Sequence, residues 1–288
     1  MKKKLIAMLL SAAMCLSLAA CGQKADTPDT TDPAEPSGDA ATYTVGICQL
    51  VQHEALDAAT QGFIDALNEA LPGQVKIEEK NASGDSNSCA TIVNGFVSEG
   101  VDLIMANATA ALQAAASATS DIPVLGTSIT AYGVALDIDD FSGTVGGNVS
   151  GTSDLADLSK QADMITEWFP ETQKVGLLFC SAEPNSRYQI EEVAKNLSAK
   201  GIETKEFAFT DTNDVSSVTQ GACDWADVIY VPTDNTAASN TEAIANVTVP
   251  AKTPVIAGEE GICKGCGVAT LSISYYDLGM TTGKMAAK

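Results

Sequence analysis

Cys263 and Cys266 form the pair of residues whose type and spacing most directly suggest chemistry. They stand three positions apart, which is the spacing of a redox pair or of half a zinc site. The chain has no second pair of this kind, and it has a single histidine, so we expect no structural zinc or other metal site. A loop disulfide or two free thiols is a simpler interpretation of the pair than redox catalysis.

His53 is the next candidate, because it is the only histidine in the chain. Ser–His–Asp or Cys–His catalysis would have to use this one residue. The chain has no G-x-S-x-G sequence, residues 279–284 are one residue short of a phosphate-binding loop, and no G-x-G-x-x-G follows a predicted strand. The sequence therefore favours a protein that is not an enzyme and that uses no cofactor.

Apolar residues alternate between helical spacing and short buried runs along most of the chain. Strands are predicted at 43–48, 75–79, 101–106, 122–126, 174–179, 203–209, 227–231, 254–257 and 268–273, and helices at 54–70, 86–99, 108–119, 154–169, 184–199, 213–223, 236–245 and 276–288. This alternation predicts an α/β fold of two Rossmann-like lobes, each a parallel sheet flanked by helices. Ligands of such sheets bind beyond the carboxyl ends of the strands, so we expect a ligand cleft between the lobes, lined by residues 49–54, 81–86, 107–110, 181–186 and 233–236.

A polar, glycine-rich stretch at 144–154 separates the two series of strands and helices. We interpret it as a crossing between lobes, with residues 146–151 flexible and a helix starting at Asp154. The predicted first lobe spans 43–151 and regains residues 275–288, and the predicted second lobe spans 152–274.

The amino-terminal residues have the composition of an export signal. Three lysines precede an apolar run that is short for a membrane span, and Cys21 follows two alanines, which resembles the lipobox of bacterial lipoproteins. We therefore expect a signal peptide at 1–20, a lipidated Cys21 and a disordered tether at 21–42. The formal net charge of −21 excludes nucleic acid as an expected partner.

Five segments together resemble one known family. Residues 46–57, 81–85, 146–154, 232–235 and 274–279 look like the substrate-binding proteins of ABC importers, within the tryptophan- and aromatic-amino-acid-binding subfamily of the type I periplasmic-binding-protein fold. The resemblance covers residues 43–288 in order. It implies two lobes joined by three crossings, the second near residues 272–275 and the third beyond residue 288, so the chain is expected to be truncated at its carboxyl end.

The resemblance implies an amino acid as ligand, whose two charged groups need different partners. Thr152 and Ser153, at the predicted helix start, could donate to the carboxylate. Asp234 is our first choice for the ammonium, with Asn235 beside it. Asp154 is the alternative, although the case for it as a helix N-cap is strong.

Further candidates come from the other predicted cleft loops. Asn185 and Ser186 could donate from the second lobe, or cap the helix there, and Asn81 could reach the cleft or form a plain turn. Gln49, His53 and Tyr275 are candidates for the side-chain end of the ligand. Glu259 and Glu260 could face an amine, with a solvated acidic turn as the default.

The function implied by the resemblance is capture of an amino acid, expected to be aromatic and tryptophan-like, by a lipid-anchored extracytoplasmic monomer. Its partners would be the permease and ATPase subunits of an ABC importer, together with the membrane that holds the anchor. Two alternatives remain: a ligand sensor for a membrane receptor, and a thiol oxidoreductase that uses Cys263 and Cys266.

Overall fold

The computed structural model describes residues 42–288. The predicted signal peptide, the predicted lipid anchor at Cys21 and all of the predicted tether but its last residue lie outside this range. Within it, no helix is both long and apolar enough to cross a membrane.

The first lobe is built on a five-stranded parallel sheet in the order β2-β1-β3-β4-β5. Its strands are β1 (Tyr43–Gln49), β2 (Val75–Asn81), β3 (Leu103–Asn107), β4 (Val124–Ile129) and β5 (Val149–Ser153), and its helices are α1 (Glu54–Ala70), α2 (Ser86–Glu99), α3 (Thr109–Ala118) and α4 (Tyr132–Ala135). The residues of β4 are all buried, as expected for a strand covered on both faces. The predicted helices at 54–70 and 86–99 are confirmed, whereas the short α4 was not predicted.

The second lobe repeats this plan with the strand order β10-β9-β8-β6-β7, again all parallel. Its elements are β6 (Lys174–Cys180), β7 (Glu203–Phe209), β8 (Val228–Val231), β9 (Val255–Ala257) and β10 (Ala269–Thr270), with α5 (Leu158–Trp168), α6 (Pro184–Ser198), α7 (Val215–Cys223), α8 (Asn235–Ala238), α9 (Thr241–Ala251) and α10 (Glu260–Cys266). The predicted fold class, two parallel-sheet α/β lobes, is confirmed.

The glycine-rich stretch in the middle of the chain is not a crossing, which corrects the prediction. Gly146 and Gly147 have positive φ angles of 81° and 62° and form a turn within the first lobe. Residues 149–153 then add β5 to the edge of the first sheet, parallel to β4, with a shift of register between Gly126 and Ile129. Thr152 and Ser153 therefore belong to a strand of the first lobe.

The helix predicted to start at Asp154 begins four residues later. Asp157 is its N-cap, and its carboxylate accepts a hydrogen bond from the Lys160 N–H at 3.2 Å. Residues 154–157 carry the chain from the first sheet to the second lobe. The glycine-containing segment after β9, for which no helix was predicted, forms the short helix α10.

The last helix, α11 (Tyr275–Ala286), returns to the first lobe and packs on α1. The two backbones touch where glycines lie: a Cβ at Gly279 would be 1.9 Å from the Ala59 carbonyl oxygen, and a Cβ at Gly62 would be 2.2 Å from the Tyr276 carbonyl oxygen. This close contact places the first residue of α11, Tyr275, next to the segment that follows β5.

Candidate functional site

A cavity between the facing carboxyl ends of the two sheets holds most of the polar residues predicted for the site. We call it the inner cavity. It has about 290 Å³ of empty space, of which the centre of a water molecule can reach only about 10 Å³, about the space that one water needs. Six predicted residues line it: His53, Asp154, Asn185, Asp234, Asn235 and Tyr275. The others are Ala55, Leu56, Ser128, Thr130, Thr233, Ala238 and Glu259.

Sequence reasoning missed Ser128 and Thr130 and took Glu259 by default as part of a solvated turn, because the segments after β4 and β9 were not among the predicted cleft loops. Ser128 lies at the carboxyl end of β4 and Thr130 just beyond it, and Glu259 lies two residues beyond β9. The rule that ligands bind beyond the carboxyl ends of parallel strands would have selected all three. Glu259 is 2 % exposed, so its default interpretation as part of a solvated turn is wrong.

The inner cavity is acidic. Asp154 and Asp234 are 4 % and 1 % exposed, and they share the cavity with Glu259. Among the described residues, no lysine or arginine lines it. Burial raises the pKa of all three carboxyls, that of Asp234 to about 8. A ligand that brings a positive charge would therefore be favoured here.

Asp234 and Glu259 already have partners for both carboxylate oxygens. Asp234 accepts hydrogen bonds from the Ala237 N–H and the Cys180 N–H, each at 2.7 Å, and so caps α8. Glu259 caps α10 by accepting from the N–H groups of Gly261 and Ile262. These contacts give both side chains a structural role.

Asp154 differs because one of its oxygens has no partner. Its Oδ2 accepts a hydrogen bond of 2.9 Å from the Tyr275 hydroxyl, whereas its Oδ1 is inaccessible to solvent and has no hydrogen bond. A buried acceptor without a donor costs about 1–3 kcal/mol. A buried acceptor of this kind needs an explanation, and a donor brought into the cavity by a ligand would supply one.

Two further buried atoms of the inner-cavity residues lack partners. They are His53 Nδ1 and Ser128 Oγ. Ser128 also has a φ of 57°, in the left-handed region that costs a non-glycine residue energy and that is often found at binding sites.

Five predicted site residues do not line the inner cavity. Gln49 donates to Val51 and Asp57 and accepts from Thr60 within the first lobe, and Asn81 accepts from the Ser83 N–H in a turn. Thr152 contacts Thr282 at 2.8 Å, Ser153 donates to the Thr130 carbonyl, and Ser186 lies 3.3 Å from Asn185. The predicted role of Thr152 and Ser153 at a helix start is wrong, because both lie in β5.

A second and larger space, the outer cavity, adjoins the inner one. It has about 790 Å³ of empty space, and the centre of a water molecule can reach about 250 Å³ of it. Asn235 lines both cavities. The outer cavity is lined from both lobes by small apolar residues, by hydroxyls, by the Asn235 amide and by two carboxylates: Leu50, Val51, Ser83, Gly84, Ser86, Ala110, Cys180, Ala182, Glu183, Thr210, Asp211, Thr212, Asn235, Thr236 and Ser239.

The geometry of Cys263 and Cys266 does not support thiol chemistry. Both are free and partly buried in α10, and burial raises the pKa of both thiols, that of Cys266 to about 12. A reactive cysteine needs a lowered pKa. The described residues also contain no group of three or more histidine, cysteine, aspartate or glutamate side chains placed to hold a metal ion.

Relatives of the chain are solute-binding proteins. The family described as ABC transporter substrate binding protein matches residues 44–288. A tyrosine-binding protein of Clostridioides difficile is 31 % identical over 291 residues, which cover 99 % of this chain and 83 % of the relative.

Two solved structures relate the conformation to ligand binding. A Streptococcus pneumoniae ABC domain in complex with L-Trp is 33 % identical, covers 85 % of this chain and 84 % of its own, and has a TM-score of 0.82. A ligand-free, open substrate-binding protein from Clostridium difficile is 34 % identical, with coverages of 85 % and 83 %, but has a TM-score of only 0.61. By TM-score, the conformation of this chain is therefore more similar to the L-Trp complex than to the ligand-free, open structure. With two parallel-sheet lobes and a ligand-sized cleft between them, the chain belongs to the ABC transporter substrate-binding proteins of the type I periplasmic-binding fold.

Proposed function

We propose that this protein captures an aromatic L-amino acid between its lobes and delivers it to the permease and ATPase subunits of an ABC importer. It would act outside the cytoplasmic membrane, held there by a lipid on Cys21. The observation that carries the ligand class is the unpartnered Oδ1 of Asp154 in the inner cavity. The relatives that bind tyrosine and L-Trp support the aromatic side chain.

The inner cavity suits the ammonium of an amino acid. An ammonium has three N–H groups and needs three acceptors. Asp154 Oδ1, His53 Nδ1 and Ser128 Oγ are the three buried atoms of the cavity residues without partners, and the free space is about that of one water. Asp154 supplies the opposite charge, which makes it a better ammonium partner than Asp234, whose oxygens are both used by backbone N–H groups.

The outer cavity suits the aromatic side chain. The inner cavity is too small for a ring, whereas the outer cavity is larger and shares Asn235 with it. Leu50, Val51 and Ala110 give part of its wall an apolar character, and polar side chains, including the carboxylates of Glu183 and Asp211, complete the wall. Small-ligand sites combine apolar walls with a few polar groups in this way.

Calorimetric titration with L-tryptophan, L-tyrosine and L-phenylalanine tests this function directly. We expect at least one of them to bind and to raise the melting temperature, because a ligand that binds only the folded state stabilises it. L-Lysine and glycine serve as controls that keep the ammonium and lack the ring. If none of the three aromatic amino acids binds, the proposed function is wrong.

Ala182→Trp is expected to lower the affinity for L-tryptophan at least about tenfold, because the new indole would occupy the outer cavity that Ala182 lines. Ala182→Ser, which keeps the space open, is the matched control and should bind as the unsubstituted protein does. Calorimetry measures both affinities. Equal affinity in the tryptophan variant would show that the ring of the ligand lies elsewhere.

A further inference from the structure

His53 connects the two lobes through a contact that depends on its protonation. Its Nε2 lies 3.2 Å from Asn235 Oδ1, and the two residues belong to different lobes, at the end of the β1–α1 loop and at the start of α8. Which of the two atoms donates depends on the orientation of the Asn235 amide and on the histidine tautomer.

Glu183 settles the orientation of that amide. Its carboxylate accepts hydrogen bonds from Asn235 Nδ2 at 2.7 Å and from the Asn235 N–H at 3.0 Å. It also accepts from the N–H and the hydroxyl of Thr236, each at 2.8 Å, and from Asn185 at 3.2 Å. A carboxylate only accepts, so the amide nitrogen of Asn235 must face Glu183 and its oxygen must face His53.

The amide oxygen facing His53 can only accept, so Nε2 must carry the proton. A neutral imidazole has one N–H, and its other nitrogen is then an acceptor. That nitrogen is Nδ1, which is inaccessible to solvent and unpartnered in a residue that lines the inner cavity.

Burial and the neighbouring groups shift the pKa of the His53 imidazole in opposite directions. Burial lowers the pKa of the imidazole, and this effect outweighs the contact with Asn235 and the nearby carboxylates of Glu183 and Asp57, which raise it. Asp154, Asp234, Glu259 and the Tyr275 hydroxyl share the cavity. A ligand ammonium placed among them would disfavour a second positive charge on His53.

We propose that Glu183 and Asn235 hold His53 as the Nε2–H tautomer, so that Nδ1 accepts a hydrogen bond from the ligand's ammonium when the lobes close. This assignment rests on the proposed function. It makes His53 a specificity-determining residue that selects a ligand with N–H groups. It also couples recognition to closure, because the Asn235 contact that fixes the tautomer joins the two lobes.

The tautomer can be observed directly, because His53 is the only histidine in the chain. Long-range ¹H–¹⁵N correlation spectra of the ¹⁵N-labelled protein, purified without a histidine tag and saturated with L-tryptophan or L-tyrosine at pH 7, should contain one imidazole pattern. We expect the pattern of a neutral ring protonated at Nε2. An Nδ1–H tautomer or an imidazolium in the complex would overturn the proposal.

Two substitutions separate ligand recognition from simple bridging of the lobes. Glutamine reproduces the Nε2 position of histidine and keeps a donor to Asn235, whereas asparagine reproduces the Nδ1 position and keeps an acceptor toward the cavity. We expect His53→Gln to bind L-tryptophan or L-tyrosine at least about tenfold more weakly and more weakly than His53→Asn. If His53 only bridges the lobes, the order of the two affinities will be the reverse.

The outcomes distinguish this proposal from the one on which it rests. If Asp154→Asn loses binding while His53→Gln keeps the affinity of the unsubstituted protein, the role of His53 is wrong and the proposed function stands. If the unsubstituted protein binds no aromatic amino acid, the proposed function itself is wrong.

Discussion

Asp154→Asn is expected to weaken the binding of an aromatic amino acid at least about a hundredfold. The substitution keeps the size of the side chain and an oxygen for the Tyr275 hydroxyl, but it removes the buried negative charge that would face the ammonium. Removing one partner of a buried ion pair costs about 3–5 kcal/mol, which exceeds the roughly 2.7 kcal/mol of a hundredfold change in affinity. Calorimetric titration with L-tryptophan and L-tyrosine measures the effect.

Asp277→Asn is the matched control for this experiment. It makes the same chemical change two residues after Tyr275, on the exposed side of α11, and should leave the affinity unchanged. Asp234→Asn tests the competing assignment. If it weakens binding more than Asp154→Asn while both variants stay folded, Asp234 is the ammonium partner, as the sequence had suggested.

Asp154→Asn should also stabilise the ligand-free protein at alkaline pH. Burial raises the pKa of Asp154 from its ordinary value of 3.8, so above that value the folded state holds a proton that the unfolded state releases. The free energy of unfolding then falls as pH rises from about 4 through the raised pKa. Asparagine has no such proton, so the melting temperature of the ligand-free variant should exceed that of the unsubstituted protein at pH 8 and approach it at pH 4.

The fold could be predicted because its strands and helices carry strong local patterns. β5 is one exception, besides the short helices α4 and α10: its sequence Val-Ser-Gly-Thr-Ser has one large apolar residue, and none of its residues is fully buried. An edge strand of this kind has no periodicity to detect. Gly146 and Gly147 fit a flexible crossing as well as they fit the turn that they form, and only the pairing of β5 with β4 distinguishes the two.

Several loops of the site could also be predicted, but the segments after β4 and β9 and the roles of its two aspartates could not. Both carboxylate oxygens of Asp234 accept hydrogen bonds, one from the nearby Ala237 N–H and one from the Cys180 N–H, which is distant in sequence. For Asp154, the Tyr275 hydroxyl that donates to Oδ2 lies 121 residues away, and Oδ1 has no partner. Which carboxylate oxygen remains unpartnered is a property of tertiary packing, and it does not follow from either residue's sequence neighbours.

Gly279→Ala is expected to destabilise the protein strongly, because α1 and α11 touch through their backbones. The new Cβ would lie 1.9 Å from the Ala59 carbonyl oxygen and 2.7 Å from its carbonyl carbon, and a backbone cannot move aside as a flexible side chain can. Overpacking of a tight contact costs about 1–3 kcal/mol and occasionally more. For a chain of this size, a loss of about 3 kcal/mol corresponds to a fall in melting temperature of roughly 6–12 °C.

Gly95→Ala is the matched control, since Gly95 lies within α2 and a Cβ there would have no atom within 4 Å. It should stabilise the protein by up to about 1 kcal/mol, because alanine is the better helix former. Thermal unfolding of both variants separates packing from helix propensity.

Because α11 begins with Tyr275, the Asp154 partner, Gly279→Ala should also weaken ligand binding in the fraction that remains folded. A melting temperature equal to that of the unsubstituted protein would mean that α1 and α11 can separate at no cost, and that the position of Tyr275 does not depend on their contact.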